Sequence, residues 1–163
     1  MGYKEDAMSL EDLLSDLKKG LGMARVNAAA ELGKLKDKRA EKGLIEALND
    51  KNMAVRNNAV FALGELGSRS AVPYLMDMLS APEERVRKSA VKALGMIGAR
   101  EATDLLVHLL ESDTSRIVKK SAIRSLGQIG GQKALLAVER FLASPDTILA
   151  DMAKKAVEMI TKK

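Results

Sequence analysis

The sequence predicts an all-α fold, an α-solenoid of five antiparallel helix pairs. Three observations predict it: a similar segment recurs every 31 or 32 residues, its apolar residues follow a helical period, and no stretch alternates as a strand would. A short period that extends along the whole chain is typical of stacked helical repeats, in which each unit buries its apolar face against its neighbours.

The recurring segment predicts one amphipathic helix in each repeat. In the second copy, Val55, Ala59 and Leu66 lie at i, i+4 and i+11, which places them on one face of a helix. Four copies align closely and a fifth is divergent; they occupy residues 25–33, 55–64, 86–95, 118–127 and 149–158. We expect the second helices of the five pairs at residues 23–35, 53–66, 83–97, 115–129 and 147–160.

A second set of amphipathic segments lies between these copies and predicts the first helix of each pair. These helices are expected at residues 9–17, 40–48, 71–79, 102–110 and 134–142. Ser9, with Asp12 three residues later, predicts a capping box on the first of them. Pro82 and Pro145, each followed by acidic residues, are expected in the first turns of second helices.

Glycines recur with the same period. One set is expected where helices stop, at Gly67, Gly98 and Gly130. The other set lies inside the second helices, at Gly33, Gly64, Gly95 and Gly127. Because glycine in a helix costs about 1 kcal/mol relative to alanine, its recurrence predicts that neighbouring helices approach closely there. The last copy has Glu158 instead, which suits the outer end of the stack.

The composition fits one domain. The chain has 163 residues, of which 47% are hydrophobic and 30% charged. We expect a flexible N-terminal tail at residues 1–8 and a single solenoid at residues 9–163. Its repeats are expected at about residues 9–36, 37–67, 68–98, 99–130 and 131–163.

Composition also limits location and chemistry. The absence of cysteine excludes disulfides and thiolate metal sites and fits a reducing compartment. No apolar run approaches the roughly 20 residues that a membrane helix needs, and the N-terminus lacks a signal-peptide core. We therefore expect a cytoplasmic protein without a membrane segment. The net charge of +5 lies wholly in the second half, because residues 1–82 hold 12 basic and 12 acidic residues and residues 83–163 hold 15 and 10.

The pattern Val-Arg-x-x-Ala-x-x-Ala-Leu-Gly, complete at residues 55–64 and 86–95, resembles HEAT repeats. It is most similar to the short HEAT-like class named for phycobilisome lyases, and the likeness covers about residues 9–160. The resemblance implies an armadillo-like, right-handed superhelix. It says little about function, because the class includes scaffolds, adaptors, bilin lyases, a metal-dependent hydroxylase and nucleic-acid binders.

The resemblance also implies roles for two sets of residues. The second helix of each pair should line the concave face. The arginine after the valine should serve the turn between the helices by binding loop carboxylates or carbonyls. Arg56 and Arg87 match this position, as does Arg25, and Lys119 is a weaker match.

No catalytic motif is present. Deoxyhypusine hydroxylase, a HEAT-like enzyme, binds two irons through repeated His-Glu pairs, whereas this chain has one histidine, His108, and no such pair. The counterparts of His108 in other repeats are charged, which predicts an exposed position on the convex side. The serines lack a plausible His–Asp arrangement. We expect no enzymatic activity, no metal and no cofactor.

The outward positions of the second helices form three columns across the repeats. The first column is Val26, Asn57, Lys88, Lys120 and Asp151; the second is Ala30, Phe61, Lys92, Arg124 and Lys155; the third is Lys34, Glu65, Met96, Gln128 and Met159. Residues four apart on a helix are neighbours, so the columns predict one strip that changes from small and neutral to basic.

Two functions suit this strip. The first is a monomeric protein-interaction module whose groove binds an acidic, partly apolar protein partner. The second, less favoured, is nucleic-acid binding by the same cations, for which few aromatics are available; an accessory role like that of bilin-lyase-type proteins is a further alternative. The candidate partner-binding residues are Asn57, Phe61, Lys88, Lys92, Met96, Lys120, Arg124 and Lys155.

Overall fold

The computed structural model describes residues 8–162, so nearly all of the predicted N-terminal tail lies outside the described residues. Over this range the chain forms ten α-helices and no strand. The helices are α1 (Leu10–Lys19), α2 (Met23–Leu35), α3 (Glu41–Ala47), α4 (Met53–Glu65), α5 (Val72–Asp77), α6 (Glu84–Ile97), α7 (Thr103–Ser112), α8 (Arg116–Ile129), α9 (Gln132–Glu139) and α10 (Thr147–Thr161). Five helix pairs follow one another along the chain, which confirms the predicted solenoid.

The first helices of the middle pairs begin differently from the prediction. Each is preceded by one turn of 3-10 helix, at Lys38–Ala40, Arg69–Ala71 and Arg100–Ala102. Helix α5 is also shorter than expected, because it changes to a 3-10 turn at Met78–Ser80. The recurring alanines that were expected to open α-helices therefore end these 3-10 turns, where they are fully buried.

The expected positions of two prolines were wrong, because each lies two residues before the first residue of its helix. Pro82 and Pro145 precede the N-caps of their helices, Glu83 and Asp146, instead of lying in the first turns. Asp146 accepts hydrogen bonds from the backbone N–H groups of Ile148 and Leu149, at 3.0 and 3.2 Å. A proline before the cap keeps the chain extended at that point and leaves the cap to the acidic residue.

The predicted caps are confirmed. The backbone N–H of Asp12 donates to Ser9 Oγ at 3.1 Å, and the backbone N–H of Ser9 donates to Asp12 Oδ2 at 3.2 Å. Gly67, Gly98 and Gly130 have φ of 63°, 69° and 76°, in the left-handed region that L-residues rarely adopt. These three glycines end α4, α6 and α8.

The helices lie in two layers. Helices α2, α4, α6, α8 and α10 form one continuous layer, in which each helix packs closely against the next. Helices α1, α3, α5, α7 and α9 form the other layer and contact one another much less. Leu32, Leu63, Leu94 and Leu126 are fully buried between the layers. The closer packing of the second helices is what the predicted concave side of the stack requires.

Small residues allow the close packing of the second helices. A Cβ built on Gly33 would lie 2.9 Å from Ala62 Cα, and one built on Gly127 would lie 3.1 Å from Ala156 Cα. At Gly95 the space is occupied by Ser125, whose hydroxyl donates to the carbonyl of Val91 at 2.8 Å. The structure therefore confirms the prediction that the recurring glycines mark close helix–helix approach.

Both ends of this packing are charged. Glu158 replaces the glycine in the last pair, and Glu31 replaces the alanine or serine in the first pair. Among residues 8–162 no second helix precedes α2 or follows α10, so neither side chain packs against a neighbouring second helix, and both residues are exposed. The sequence comparison had identified only Glu158.

The predicted turn arginines are confirmed and join neighbouring pairs. Arg25 donates to Asp50 at 3.0 Å and to the carbonyl of Gly20 at 2.9 Å. Lys119, the weaker match, donates to the carbonyl of Glu111 at 3.3 Å. Each of the four junctions between pairs is crossed by an ion pair from an arginine of the second helix: Arg25–Asp50, Arg56–Glu83, Arg87–Asp113 and Arg116–Asp146.

Candidate partner-binding groove

We call the exposed side of the second-helix layer the groove; it carries the three columns Val26 to Asp151, Ala30 to Lys155 and Lys34 to Met159. Helices α2, α4, α6, α8 and α10 each contribute one residue to each column. All fifteen residues are exposed or partly exposed. The structure thus places the eight candidate residues on the same face of adjacent helices.

Phe61 on α4 is the bulky apolar residue of the groove's N-terminal half. It is 47% exposed although large apolar side chains are usually buried. The ring borders a depression of about 160 Å³ whose walls include Ala30 and Gly33 of α2. Because these neighbours are small, one side of the ring stays open to a ligand.

Lys92 on α6 lies beside Phe61. Its Nζ is 5.6 Å from the centroid of the Phe61 ring, which is within the range of a cation–π interaction. The contact keeps the ammonium at the boundary between the apolar part of the groove and its basic part.

Four cations converge in the basic part; we call Lys88, Lys92, Lys120 and Arg124 the basic cluster. They line one depression of about 240 Å³, together with Ser121 and the apolar side chains of Ile117 and Met152. Lys88 and Lys92 are separated by one turn of α6, and Lys120 and Arg124 by one turn of α8. Like charges at this spacing repel each other, so the cluster creates a positive potential that an anion would relieve.

The basic cluster has no carboxylate partner in the part of the chain that the structure describes. Among residues 8–162, no Asp or Glu forms an ion pair with any of its four side chains. The turn arginines differ, since each is paired across a junction. The four cations of the basic cluster are therefore free to bind an external anion, whereas those of the turns are engaged in the fold.

The other three candidates are less available or more distant. Asn57 Oδ1 accepts a hydrogen bond from Ser89 Oγ at 2.5 Å, so its carbonyl group is already engaged. Met96 is partly buried over Gly64, where an added Cβ would lie 3.4 Å from its sulfur. Lys155 on α10 is exposed but does not line the basic depression.

Sequence comparison missed two residues of the site. Ile117 is 49% exposed and Met152 is partly buried, and both form apolar walls of the basic depression. They lie on the second helices at positions beside the three columns that were predicted to form the groove. Ile117 stands out in the sequence as an apolar residue in the first turn of a helix, one position before the buried Val118.

The single histidine of the chain lies outside the groove. His108 is exposed on α7, in the outer layer, as expected. No group of three or more His, Asp or Glu side chains within residues 8–162 could hold a metal ion. None of the ten described helices is long and apolar enough to cross a membrane.

Comparison with known proteins agrees with this geometry. A family model described as HEAT repeats matches three overlapping stretches, residues 10–90, 42–127 and 76–158. The chain belongs to the HEAT-repeat family. No curated protein matches the sequence.

Solved structures show the same HEAT-like architecture. A chain of the complex of CpcE and CpcF of phycocyanin lyase from Nostoc sp. PCC7120 is 28% identical, with a TM-score of 0.85 over 100% of this chain and 69% of that one. A designed armadillo repeat protein in complex with the peptide (KR)4 is 22% identical, with a TM-score of 0.73 over 93% and 81%. The archaeal HEAT-like repeats protein from Thermococcus onnurineus NA1 is 22% identical, with a TM-score of 0.53 over 93% and 65%.

Proposed function

We propose that this HEAT-repeat protein is a non-enzymatic interaction module that binds an acidic, partly apolar segment of a protein partner in its groove. The observation that carries the proposal is the basic cluster: four cations in one depression, without carboxylate partners among residues 8–162. Electrostatic attraction would steer an acidic segment to this depression and set its orientation.

Apolar contacts support a peptide ligand over a purely ionic one. Phe61 is exposed beside the cluster, and Ile117 and Met152 line the same depression as the cations. Aromatic and methionine side chains are common anchors in protein interfaces. Single-stranded nucleic acid would need several stacking aromatics, and Phe61 is the one aromatic residue in the three columns.

A capture experiment with two matched variants tests the proposal. The groove variant carries Phe61→Ala, Lys92→Glu and Arg124→Glu. The control variant carries Tyr74→Ala, Lys42→Glu and Arg100→Glu, which change an equally exposed aromatic and two exposed cations outside the groove. Both variants and the wild type are used to capture partners from a lysate of the native host, with and without nuclease.

The proposal predicts that the wild type and the control variant both capture the same partner protein after nuclease treatment. The groove variant should fail to capture it. Retention by the groove variant would place binding outside the groove. Recovery of nucleic acid alone, abolished by nuclease, would assign the basic cluster to phosphate binding instead.

A second candidate function is supported by the likeness to the phycocyanin lyase complex, which covers the whole chain at a TM-score of 0.85. In this case the chain would act as one member of a two-chain assembly that handles a bilin chromophore. Co-expression with a bilin tests it: visible absorbance that copurifies with the chain would support this role, and a colourless protein would argue against it.

A further inference from the structure

The groove contains two adjacent depressions with different chemistry. The one beside Phe61 has a volume of about 160 Å³ and is lined by the small residues Ala30 and Gly33 and by the polar side chains of Lys34, Asn58 and Glu65. The one formed by the basic cluster has a volume of about 240 Å³. Each is the size of one or a few side chains, so a ligand would fill both only by presenting two different groups.

Lys92 connects the two depressions. It lines the basic one, and its Nζ lies 5.6 Å from the centroid of the Phe61 ring. A group bound over Phe61 and an anion bound by the cluster would therefore lie on either side of one lysine. This arrangement makes the two depressions parts of a single site.

The spacing of the helices gives the distance between them. Closely packed helices lie about 8–10 Å apart. The depression beside Phe61 is lined by residues of α2 and α4, whereas the basic cluster lies between α6 and α8. The two depressions are thus separated by about two helix spacings, or roughly 16–20 Å. An extended chain advances about 3.3–3.6 Å per residue and would cover this distance in about five residues.

We propose that the partner segment is an extended, bipartite sequence in which one bulky apolar residue packs on Phe61 and two or more carboxylates, about five residues away, bind the basic cluster. This inference rests on the proposed function and adds to it the order and spacing of the two binding groups. Lys92 serves both halves, through its contact with the ring and its contact with the carboxylates.

Three fluorescent peptides test the spacing on the full chain. The first has a leucine, a four-residue Gly-Ser spacer and two glutamates; the second has a one-residue spacer; the third has serine in place of the leucine. Their affinities are measured by fluorescence anisotropy with the wild type, Phe61→Ala, Arg124→Glu and the control Arg100→Glu. Circular dichroism of each variant verifies that the fold is retained.

The first peptide is expected to bind at least fivefold more tightly than the other two. Phe61→Ala should remove this advantage without changing the affinity of the serine peptide. Arg124→Glu should weaken all three at least tenfold, and Arg100→Glu should leave them unchanged. Equal affinities for the three peptides, all reduced by Arg124→Glu, would overturn the bipartite inference and leave the proposal that the groove binds an acidic segment intact. Absence of binding, or binding that ignores Arg124→Glu, would overturn both.

Discussion

Gly64 and Ala93 are in such close contact that a Cβ added to Gly64 would lie 2.9 Å from the Cα of Ala93. Gly33 and Ala62 have the same relationship one repeat earlier, and Gly127 and Ala156 nearly the same at the C-terminal end. The spacing of the second helices, and with it the arrangement of the groove residues, depends on these contacts between small residues.

Gly64→Ala should therefore destabilise the protein although alanine is the better helix former. The added methyl group meets backbone, so α4 and α6 must separate, and we expect the free energy of unfolding to fall by about 1–3 kcal/mol. Urea denaturation measures it. Gly43→Ala is the matched control, because its Cβ would meet only side-chain ends, Leu14 Cδ2 at 3.1 Å and Leu17 Cδ2 at 3.7 Å. For Gly43→Ala we expect the free energy of unfolding to stay the same or to rise by up to about 1 kcal/mol. Equal effects of the two substitutions would refute the packing argument.

The charged C-terminal end should prevent self-association. Lys154 and Glu158 occupy the positions of the buried Ile123 and of Gly127, which packs against Ala156. Lys154→Ile combined with Glu158→Ala would expose an apolar end of the stack, and such ends associate. Sedimentation velocity should show the wild type at the 17.6 kDa mass of one chain and the variant shifted to dimers or larger species. An unchanged mass for the variant would show that charge is not what closes this end.

The Arg87–Asp113 pair should make the free energy of unfolding decrease at acidic pH. Asp113 is 97% buried as a side chain and accepts hydrogen bonds from Arg87 Nε at 2.7 Å and from the backbone N–H of Ser115 at 2.7 Å. Burial alone would raise the pKa of Asp113, but the hydrogen bonds from Arg87 and Ser115 outweigh it and lower the pKa. The folded state therefore binds this proton less readily than the unfolded chain does. The ionised Asp113 side chain gives its full contribution to the free energy of unfolding above the pKa it has in the unfolded chain, which is about 4. This contribution is lost as the pH falls through the lower pKa of Asp113 in the folded state.

Asp113→Asn should cost about 1.5–3 kcal/mol of unfolding free energy at pH 7, because it replaces charge-assisted hydrogen bonds. The difference from the wild type should shrink below about pH 4, where the wild-type carboxylate also becomes protonated. Asp104→Asn, which alters an exposed pair with Lys133, should change the stability by about 0.5 kcal/mol or less. Denaturation at several pH values measures both variants; an Asp113→Asn penalty that does not vary with pH would contradict this account.

The two phenylalanines should differ in what they contribute to folding. Phe61→Ala should lower the unfolding free energy by about 1 kcal/mol or less, since the ring is 47% exposed and its contact with Lys92 is at the surface. Phe141→Ala should cost more, about 2–3 kcal/mol, because Phe141 packs against the core. Thermal unfolding compares them. A large penalty at Phe61 would mean that the residue belongs to the core rather than to a binding surface.

Much of the fold followed from the sequence because the same contacts recur in each repeat. The turn arginine at Arg25, Arg56 and Arg87 and the packing glycine at Gly64 were identified by their period, and each has the structural role expected. Local starts of helices were less predictable. Buried alanines such as Ala71 end a 3-10 turn, and Pro82 stands before the cap rather than inside the helix, because tertiary packing and capping decide the first turn.

The candidate site could be predicted only as far as the columns. Helical period alone placed Phe61, Lys92 and Arg124 on one face. It could not show that Lys88, Lys92, Lys120 and Arg124 share one depression or that Ile117 and Met152 wall it, because these juxtapositions depend on how α6, α8 and α10 pack. It also could not show that Asn57 is engaged by Ser89 or that Met96 lies over Gly64.

The central claim, that the basic cluster binds an acidic segment, is tested most directly by isothermal titration with a hexaglutamate peptide. Lys92→Glu with Arg124→Glu is compared with the charge-matched pair Lys42→Glu with Arg100→Glu. The account predicts that the wild type and the control pair bind the peptide with equal affinity and that the groove pair binds it at least tenfold more weakly. Equal affinity for the groove pair and the control pair would contradict the claim.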